Sequence, residues 1–322
     1  MKKRVFISLF LVFILVGTLV VSANSKKESI NVLLYGLDGR EEDEYERSDS
    51  IMIINYNFNS NKAIITSIPR DSYVRVTCRN NRFDKINHAY VYGELDKKGD
   101  GQKCLNDTVS KLFEVNNLYN AQVDFDKVIE IIDYIGLISI TPSNSFCQSN
   151  IKGTRKYCFE ANKTISMDGE QSLAYMRNRK SLPNGDLDRS KNQRQVLKEV
   201  INKVLKLNLI GKIKTFNFIK NRVETDINMN DLNLNALASM NNITMEEYTL
   251  KGKGVLKDLY YYELDPENLA KIKKCKFEIV KYKTWCYNVI AWFLSQAGKA
   301  SDCNSLIAGS NPVGTSTFFK KC

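Results

Sequence analysis

Histidine is nearly missing from this chain. His88 is the only one in 322 residues. With Ala89 and Tyr90 after it the position reads as a helix start, so a structural role is the better reading and triads that need a histidine base are set aside. No Cys-x-x-Cys pair argues for a zinc thiolate site. The phosphate loop Gly-x-x-x-x-Gly-Lys-Ser/Thr is missing as well, and Lys251-Gly-Lys-Gly254 is too weak a match to replace it. Neither an internal repeat nor a low-complexity tract occurs, which argues against a repeat array. Disorder is not indicated either: 43% hydrophobic and 26% charged residues is ordinary globular composition, enough for one large or two small cores.

Acidic residues are outnumbered, 36 against 47 basic ones, for a net charge of +11. The lysines are scattered over the whole length and suggest only attraction to anionic surfaces. Arginine is concentrated. Apart from Arg4 and Arg222, every arginine falls between Arg40 and Arg194, so the side chain that grips phosphate in a bidentate fork is confined to one part of the chain. At the N-terminus, Lys2, Lys3 and Arg4 precede an apolar run from Val5 to Val21 that reads as an export signal. The run is at the lower limit of the roughly 17 residues that span a bilayer, so it reads as a signal anchor with its N-terminus inside, or as a signal peptide cleaved after Ala23. Either reading places residues 25 to 322 outside the cytoplasm. Basic charge alone would allow nucleic-acid binding, but export argues against it. Eight cysteines in an exported chain favour disulfides. Cys147 and Cys158 bracket a hairpin-like Asn150-Ile-Lys-Gly153, and Cys78 with Cys104 would close a loop around His88.

Ile30–Leu37, Ser50–Asn55 and Ala63–Ile68 are continuous β-rich runs that read as buried strands, the last two joined as a hairpin through Asn57–Lys62. Thr108–Phe113 reads as helix, Ala121–Phe125 as strand, Asp126–Ile135 as a helix stopped by Gly136, and Ile138–Thr141 as strand. Helices are also expected over Met167–Tyr175, from about Arg189 to Leu207, and from Asn230 to Ser239. Strands alternating with helices give an α/β sandwich, its sheet mixed because of the hairpin. Residues 1–24 are then the signal segment, 25–272 the domain, and 273–322 a Cys/Lys-rich extension.

On the long helix Val196, Leu197, Val200, Ile201, Val204 and Leu205 form one apolar stripe, and Arg189 and Gln193 lie on the same stripe. A guanidinium on a core-facing stripe needs buried carboxylates or a bound anion. An internal Arg–Asp bridge, with Asp186 or Asp188 capping the helix, is the simpler reading when the stripe is taken alone. The first strand ends in Gly36-Leu-Asp38-Gly-Arg40 and the second begins at Arg47-Ser-Asp49. Two carboxylates at neighbouring strand ends, each beside an arginine, suit Mg²⁺ held against phosphate, although two surface Asp–Arg pairs explain them equally well. The third strand ends in Pro69-Arg70-Asp71, where proline stops the strand and directs Arg70 outward. With Lys85, these cations neutralise more charge than one phosphate carries, which favours a diphosphate.

The ordered set Gly36-x-Asp-x-Arg40, Arg47-Ser-Asp-Ser-Ile51, Ser67-Ile-Pro-Arg-Asp71, Lys85-Ile-Asn-x-Ala-Tyr90, Gly169-x-Gln-x-Leu-x-Tyr-x-Arg-x-Arg179 and Asp186-x-x-Arg189 resembles the LytR-CpsA-Psr family of bacterial cell-envelope enzymes over roughly residues 30 to 272. The resemblance implies a three-layer α/β/α domain with a central mixed sheet, outside the membrane. It would act as a phosphotransferase, moving a glycopolymer from a polyprenyl-pyrophosphate carrier to peptidoglycan. It implies Mg²⁺ (or Mn²⁺) on Asp38 and Asp49, pyrophosphate contacts from Arg47, Arg70, Arg177, Arg179, Arg189 and Gln193, and Arg47, Arg70, Arg179 and Asp38 at the chemical step. Arg40 and Lys85 join the pyrophosphate set from the reading of the strand ends, and Asp38 or Asp71 would take the acceptor proton. The expected partners are the lipid-linked glycan, the peptidoglycan acceptor and the cytoplasmic membrane. Three departures stand out: Asn192, which favours binding without turnover, replaces the usual arginine before the glutamine, with Arg194 expected on the solvent side; Gly93-Glu94 replaces a common glycine pair, which would alter the loop beside Lys85; and the abundant cysteines and cysteine-rich tail are unusual for the family. Retention of the lipid without turnover and hydrolysis of the pyrophosphate are the rival readings.

Overall fold

The computed structural model describes residues 29–38, 46–123, 125–227 and 243–274. The expected signal segment, Arg40, the helix at 230–239 and nearly all of the C-terminal extension lie outside them. No helix among the described residues is long and apolar enough to cross a membrane.

The three apolar runs become β1 (Ser29–Asp38), β2 (Arg47–Asn57) and β3 (Lys62–Ile68), paired antiparallel in sequence. Next come a small hairpin, β4 (Tyr73–Val76) with β5 (Arg82–Lys85), and helices α1 (His88–Asp96) and α2 (Gly101–Phe113). Strand β6 (Leu118–Gln122) leads to α3 (Phe125–Ile135), which Gly136 ends at φ +86°. Phe125 therefore opens a helix and does not close a strand. The short strands β7 (Ile138–Ile140), β8 (Phe146–Ser149), β9 (Lys156–Phe159) and β10 (Ile165–Met167) precede α4 (Gly169–Arg177), whose start is fixed by a capping box between Asp168 and Gln171. Then follow α5 (Asp186–Leu205), α6 (Leu209–Lys220), β11 (Glu224–Thr225), β12 (Thr244–Thr249), the hairpin of β13 (Gly252–Leu256) and β14 (Tyr260–Leu264), and α7 (Pro266–Ile272).

Six strands form the central sheet in the order β11-β6-β1-β2-β3-β12, with β1/β6 and β3/β12 parallel and the remaining pairs antiparallel. Both faces are buried, which is why the sequence runs are continuously apolar. Val32, Leu34, Met52 and Ile54 pack with α3 to α6, including Val196, Leu197, Val200, Ile201 and Val204 of the expected stripe. Leu33, Tyr35, Ile51 and Ile53 face the opposite core with α1, α2 and α7. Helices on both faces of a mixed sheet make the expected α/β/α arrangement.

Disulfides join Cys78 to Cys104 and Cys147 to Cys158, both as expected. The first ties the segment after β4 to α2, and the second crosses the β8–β9 hairpin. Gly93 lets α1 and α2 meet, since a Cβ there would lie 2.4 Å from Asp100 O. Glu94 accepts from the N–H groups of Gly99 and Gly101, both at 3.0 Å, so it organises the α1–α2 turn and not the loop beside Lys85.

Candidate active site

At the carboxyl ends of the parallel strands, the β1–β2 register passes from Gly36↔Ser50 to Leu37↔Ser48. Asp49 is the extra residue, a bulge that re-aims its side chain. Ser50 now faces α5, where its hydroxyl donates to Gln193 Oε1 at 2.8 Å. Asp49 faces the other way: its Oδ1 accepts from Asn87 Nδ2 at 3.1 Å and its Oδ2 from Arg70 Nη1. The Ser48 hydroxyl donates to Asn87 O at 3.4 Å, completing a frame around the carboxylate.

Arg70 stands in the turn after β3, closed by Ser72 N–H on Pro69 O at 3.0 Å. The turn is pinned from two sides, by Asn87 N–H on Arg70 O at 3.2 Å and by Tyr262 N–H on Asp71 O at 2.8 Å. Besides Asp49, the guanidinium has Asp71 at 3.8 Å and Asp186 at 3.9 Å from Nε. That Nε is buried and makes no hydrogen bond among the described residues. Burial works against the charge, but Asp49, Asp186 and Asp71 outweigh it and hold the Arg70 pKa above its ordinary value. Lys85 Nζ lies 2.8 Å from Asp71 Oδ1.

Helix α5 closes the site from the opposite core. Its cap is Gly185, at φ +51°, so neither Asp186 nor Asp188 caps it. Asp186 instead pairs with Arg189 Nη2 at 2.5 Å and approaches Arg70, and Arg189 Nη2 also donates to Asp49 O at 2.9 Å. Burial lowers the Arg189 pKa; Asp186 opposes this, while Arg70 and Arg179 add to it. The internal Arg–Asp bridge read from the stripe is therefore present, between Asp186 and Arg189, and it extends to Arg70. Arg194 corrects the expectation of a solvent-side residue. It is buried, donates to Ser67 Oγ at 2.5 Å and lies 3.4 Å from Glu247 of β12, because the helix is covered on that flank too. Asn192 is also buried and donates to Tyr175 O of α4 at 3.4 Å.

Asp49, Arg70, Asp71, Lys85 and Arg189 are thus brought to one place, and Gln193 stands one turn along α5 from Arg189, bonded to Ser50. Arg47 is exposed at the start of β2, opposite Asp38 in register. Arg177 is half-buried in the last turn of α4 and Arg179 is exposed just beyond it. The Asp38 side chain and Arg40 lie outside the described residues. His88 starts α1, as expected, and is bonded to Asp84 at 3.1 Å. Sequence reasoning missed the joint role of Asp186, Asn87 and Ser50. Their signal was present in the segments Asp186-x-x-Arg189, Lys85-Ile-Asn87 and Ser-Asp-Ser50, but their partners are remote in sequence. An open polar depression of about 470 Å³ lined by Gln102, Asn106 and Asp226 contains none of these residues.

No group of three or more His, Cys, Asp or Glu among the described residues would hold a metal unaided. Mg²⁺, however, is ordinarily held by one or two carboxylates together with phosphate oxygens. Asp49 and the buried amide oxygen of Asn87, which has no hydrogen-bond partner among the described residues, are oxygen donors of the right kind side by side.

Guanidinium groups and carboxylates interleave at the strand ends of an α/β domain, the place where such folds build their sites. The chain belongs to the LytR_cpsA_psr family, which it matches over residues 16–278. It is 32% identical over 252 residues to the polyisoprenyl-teichoic acid–peptidoglycan teichoic acid transferase TagU of Oceanobacillus iheyensis, covering 77% of this chain and 75% of that one. Among solved structures it is similar to Bacillus subtilis TagV, with a TM-score of 0.64 and 26% identity over 78% of this chain and 96% of the other. TagT bound to LIIa-WTA gives a TM-score of 0.60 and 25% identity over 77% and 89%.

Proposed function

We propose that this protein transfers a glycopolymer from a polyprenyl-pyrophosphate carrier to peptidoglycan at the outer face of the cytoplasmic membrane, with Val5–Val21 as its anchor. The observation that carries this reading is Arg70. Its guanidinium is held among three carboxylates, with a buried Nε left open, beside Lys85 and Arg189. Such a cluster suits an anion with two phosphates, and the chain's membership of the family and its similarity to TagU support the reading.

In this reading, a sugar C6 hydroxyl of the acceptor attacks the sugar-linked phosphorus. The new P–O bond forms to the acceptor oxygen, and the P–O bond to polyprenyl phosphate breaks with the electron pair leaving on that phosphate. Arg70 and Arg189 bind the pyrophosphate oxygens and are already oriented by Asp49, Asp71 and Asp186, so no reorganisation is needed as charge develops. Lys85 adds charge beside Asp71, and Asp71 accepts the acceptor proton. Arg47, Arg177 and Arg179, more exposed, receive the outer phosphate oxygens. When bound, Mg²⁺ would supply further positive charge against those oxygens, with Asp49, Asp38 and Asn87 Oδ1 as the groups to hold it.

The binding-only reading rested on Asn192, whose side chain is turned to α4 and not to the strand ends. Hydrolysis uses the same residues, so the assay must separate it. Purified protein is given a synthetic polyprenyl-pyrophosphate glycan with and without Mg²⁺ and a peptidoglycan oligomer. Glycan on the oligomer supports transfer. Polyprenyl phosphate released equally without the oligomer means hydrolysis, and lipid retained with no product means a binding protein.

A further inference from the structure

A buried amide stands between the two arginines at the end of α4. Asn178 is 1% exposed, while Arg177 is half-buried and Arg179 exposed. It is not the usual left-handed helix stop, since its φ is −63° and its ψ 132°. Its Nδ2 donates to Cys147 O of β8 at 3.3 Å, and its Oδ1 accepts from Ser181 N–H of the following turn at 3.3 Å. One side chain therefore joins three segments: the end of α4, the β8–β9 hairpin and the turn that leads to α5. That turn continues through Leu182 N–H on Arg179 O at 3.3 Å and Gly185 N–H on Leu182 O at 3.1 Å. It brings the Arg179 carbonyl to 4.0 Å from where a Gly185 Cβ would stand, at the cap of α5 and one residue before Asp186. The Arg179 main chain is thus set beside the helix start that carries Asp186 and Arg189, near enough for the Arg179 charge to lower the Arg189 pKa.

The hairpin in turn holds α4 at both ends. Near the helix start, the Tyr157 hydroxyl donates to Glu170 Oε2 at 2.5 Å and Asn150 Nδ2 to Glu170 Oε1 at 3.0 Å. Along the helix, Phe146 and Phe159 pack on the Tyr175 ring at 5.5 and 5.2 Å. Two strands of four residues outside the central sheet are marginal by themselves. The Cys147–Cys158 disulfide, between residues directly opposite in register, keeps them paired.

We propose that Asn178 is a positioning residue: tied to the disulfide-closed hairpin, it sets where Arg177 and Arg179 stand against the outer phosphate of a lipid-linked diphosphate. The inference rests on the diphosphate site proposed above. Asn178 acts through the two arginines and not on the reacting atoms.

The first arm of the test needs no ligand. Hydrogen exchange of the full-length protein, read by mass spectrometry, follows residues 179–185. Asn178→Ala, and separately Cys147→Ser with Cys158→Ser, should raise exchange there and leave α5 protected. Unchanged exchange over 179–185 in either variant overturns the proposal. So does exchange that rises through α5 as well, which would make the joint a support of the whole domain. The second arm titrates geranyl pyrophosphate and geranyl phosphate in the presence of Mg²⁺. Asn178→Ala should weaken the diphosphate about tenfold, the scale of one charge-assisted hydrogen bond, and the monophosphate by less than about twofold. In protein that already carries Arg177→Ala and Arg179→Ala, the same substitution should change neither affinity. Equal losses for the two probes, or a loss that persists without the arginines, overturn positioning. Unsubstituted protein that binds neither probe overturns the diphosphate site and the proposal with it, while the exchange result shows separately whether the Asn178 joint exists.

Discussion

Arg70→Met tests how the site is held together. The methionine keeps much of the side-chain length but removes the one cation among the described residues that faces Asp49, Asp71 and Asp186 together. Breaking a fully buried pair by removing one partner costs about 3–5 kcal/mol. Here Arg70 is 17% exposed, and Asp49, at 8%, keeps its bond from Asn87. Water and that amide soften the loss to about 2–3 kcal/mol. For a chain of this size that is a fall of about 5–10 °C in Tm. Urea unfolding of Arg70→Met, Asp49→Asn and the double variant gives the coupling directly, with all disulfides intact. The two single effects should exceed the double effect by more than about 1 kcal/mol, since contacting partners are not additive. Arg70→Lys should recover part of the stability by restoring charge, yet not turnover, because an ammonium cannot reach three carboxylates and a phosphate in one plane. If the single effects simply add, or if Tm is unmoved, Arg70 is not the electrostatic centre of the site.

Two further perturbations probe its supports. Gln193→Ala leaves the buried Ser50 hydroxyl without its acceptor and should cost about 1–3 kcal/mol in urea unfolding, whereas a change inside about 0.5 kcal/mol would show that the α5 contact is incidental. At Asp84, burial favours the neutral acid, but the Tyr92 hydroxyl at 2.5 Å, the Lys85 N–H and His88 together hold its pKa below the ordinary value, and the Tyr92 phenol is pushed up to about 12. A depressed carboxyl stabilises the fold above its unfolded pKa and loses that stabilisation as pH falls through its folded pKa. Tyr92→Phe should therefore be less stable than the parent at pH 7, with the difference shrinking in strong acid; the same gap at both pH values would refute the assignment.

The central strands were legible because a sheet buried on both faces leaves continuous β-branched runs, and α5 was legible through its stripe from Val196 to Val204. Short elements were not. Helix α6 carries Gly211 and Thr215 among its apolar residues, and the β4–β5 and β13–β14 hairpins are rich in charge, so neither presents a periodicity strong enough to read. At the site, the sequence supplied the charged residues but not their geometry. The bulge at Asp49 depends on the register of two strands, and Asn87 reaches Asp49 across 38 residues of separation. Arg194 was misplaced for a definite reason. One residue past Gln193 rotates about a quarter turn off the stripe, and only the tertiary position of Glu247 and Ser67 covers that flank.

The bulge has one more consequence. Because residue 49 has no partner opposite it in the ladder, its carbonyl is left to receive Arg189, so the link joining the two cores across 140 residues of sequence ends on the main chain. No substitution at position 49 removes that link. A change confined to the carboxylate, Asp49→Asn, leaves the strand end clasped to the helix, whereas Arg189→Ala removes the clasp and leaves the carboxylate on Arg70 and Asn87. Chemistry and architecture share a residue here, but they rest on different atoms of it.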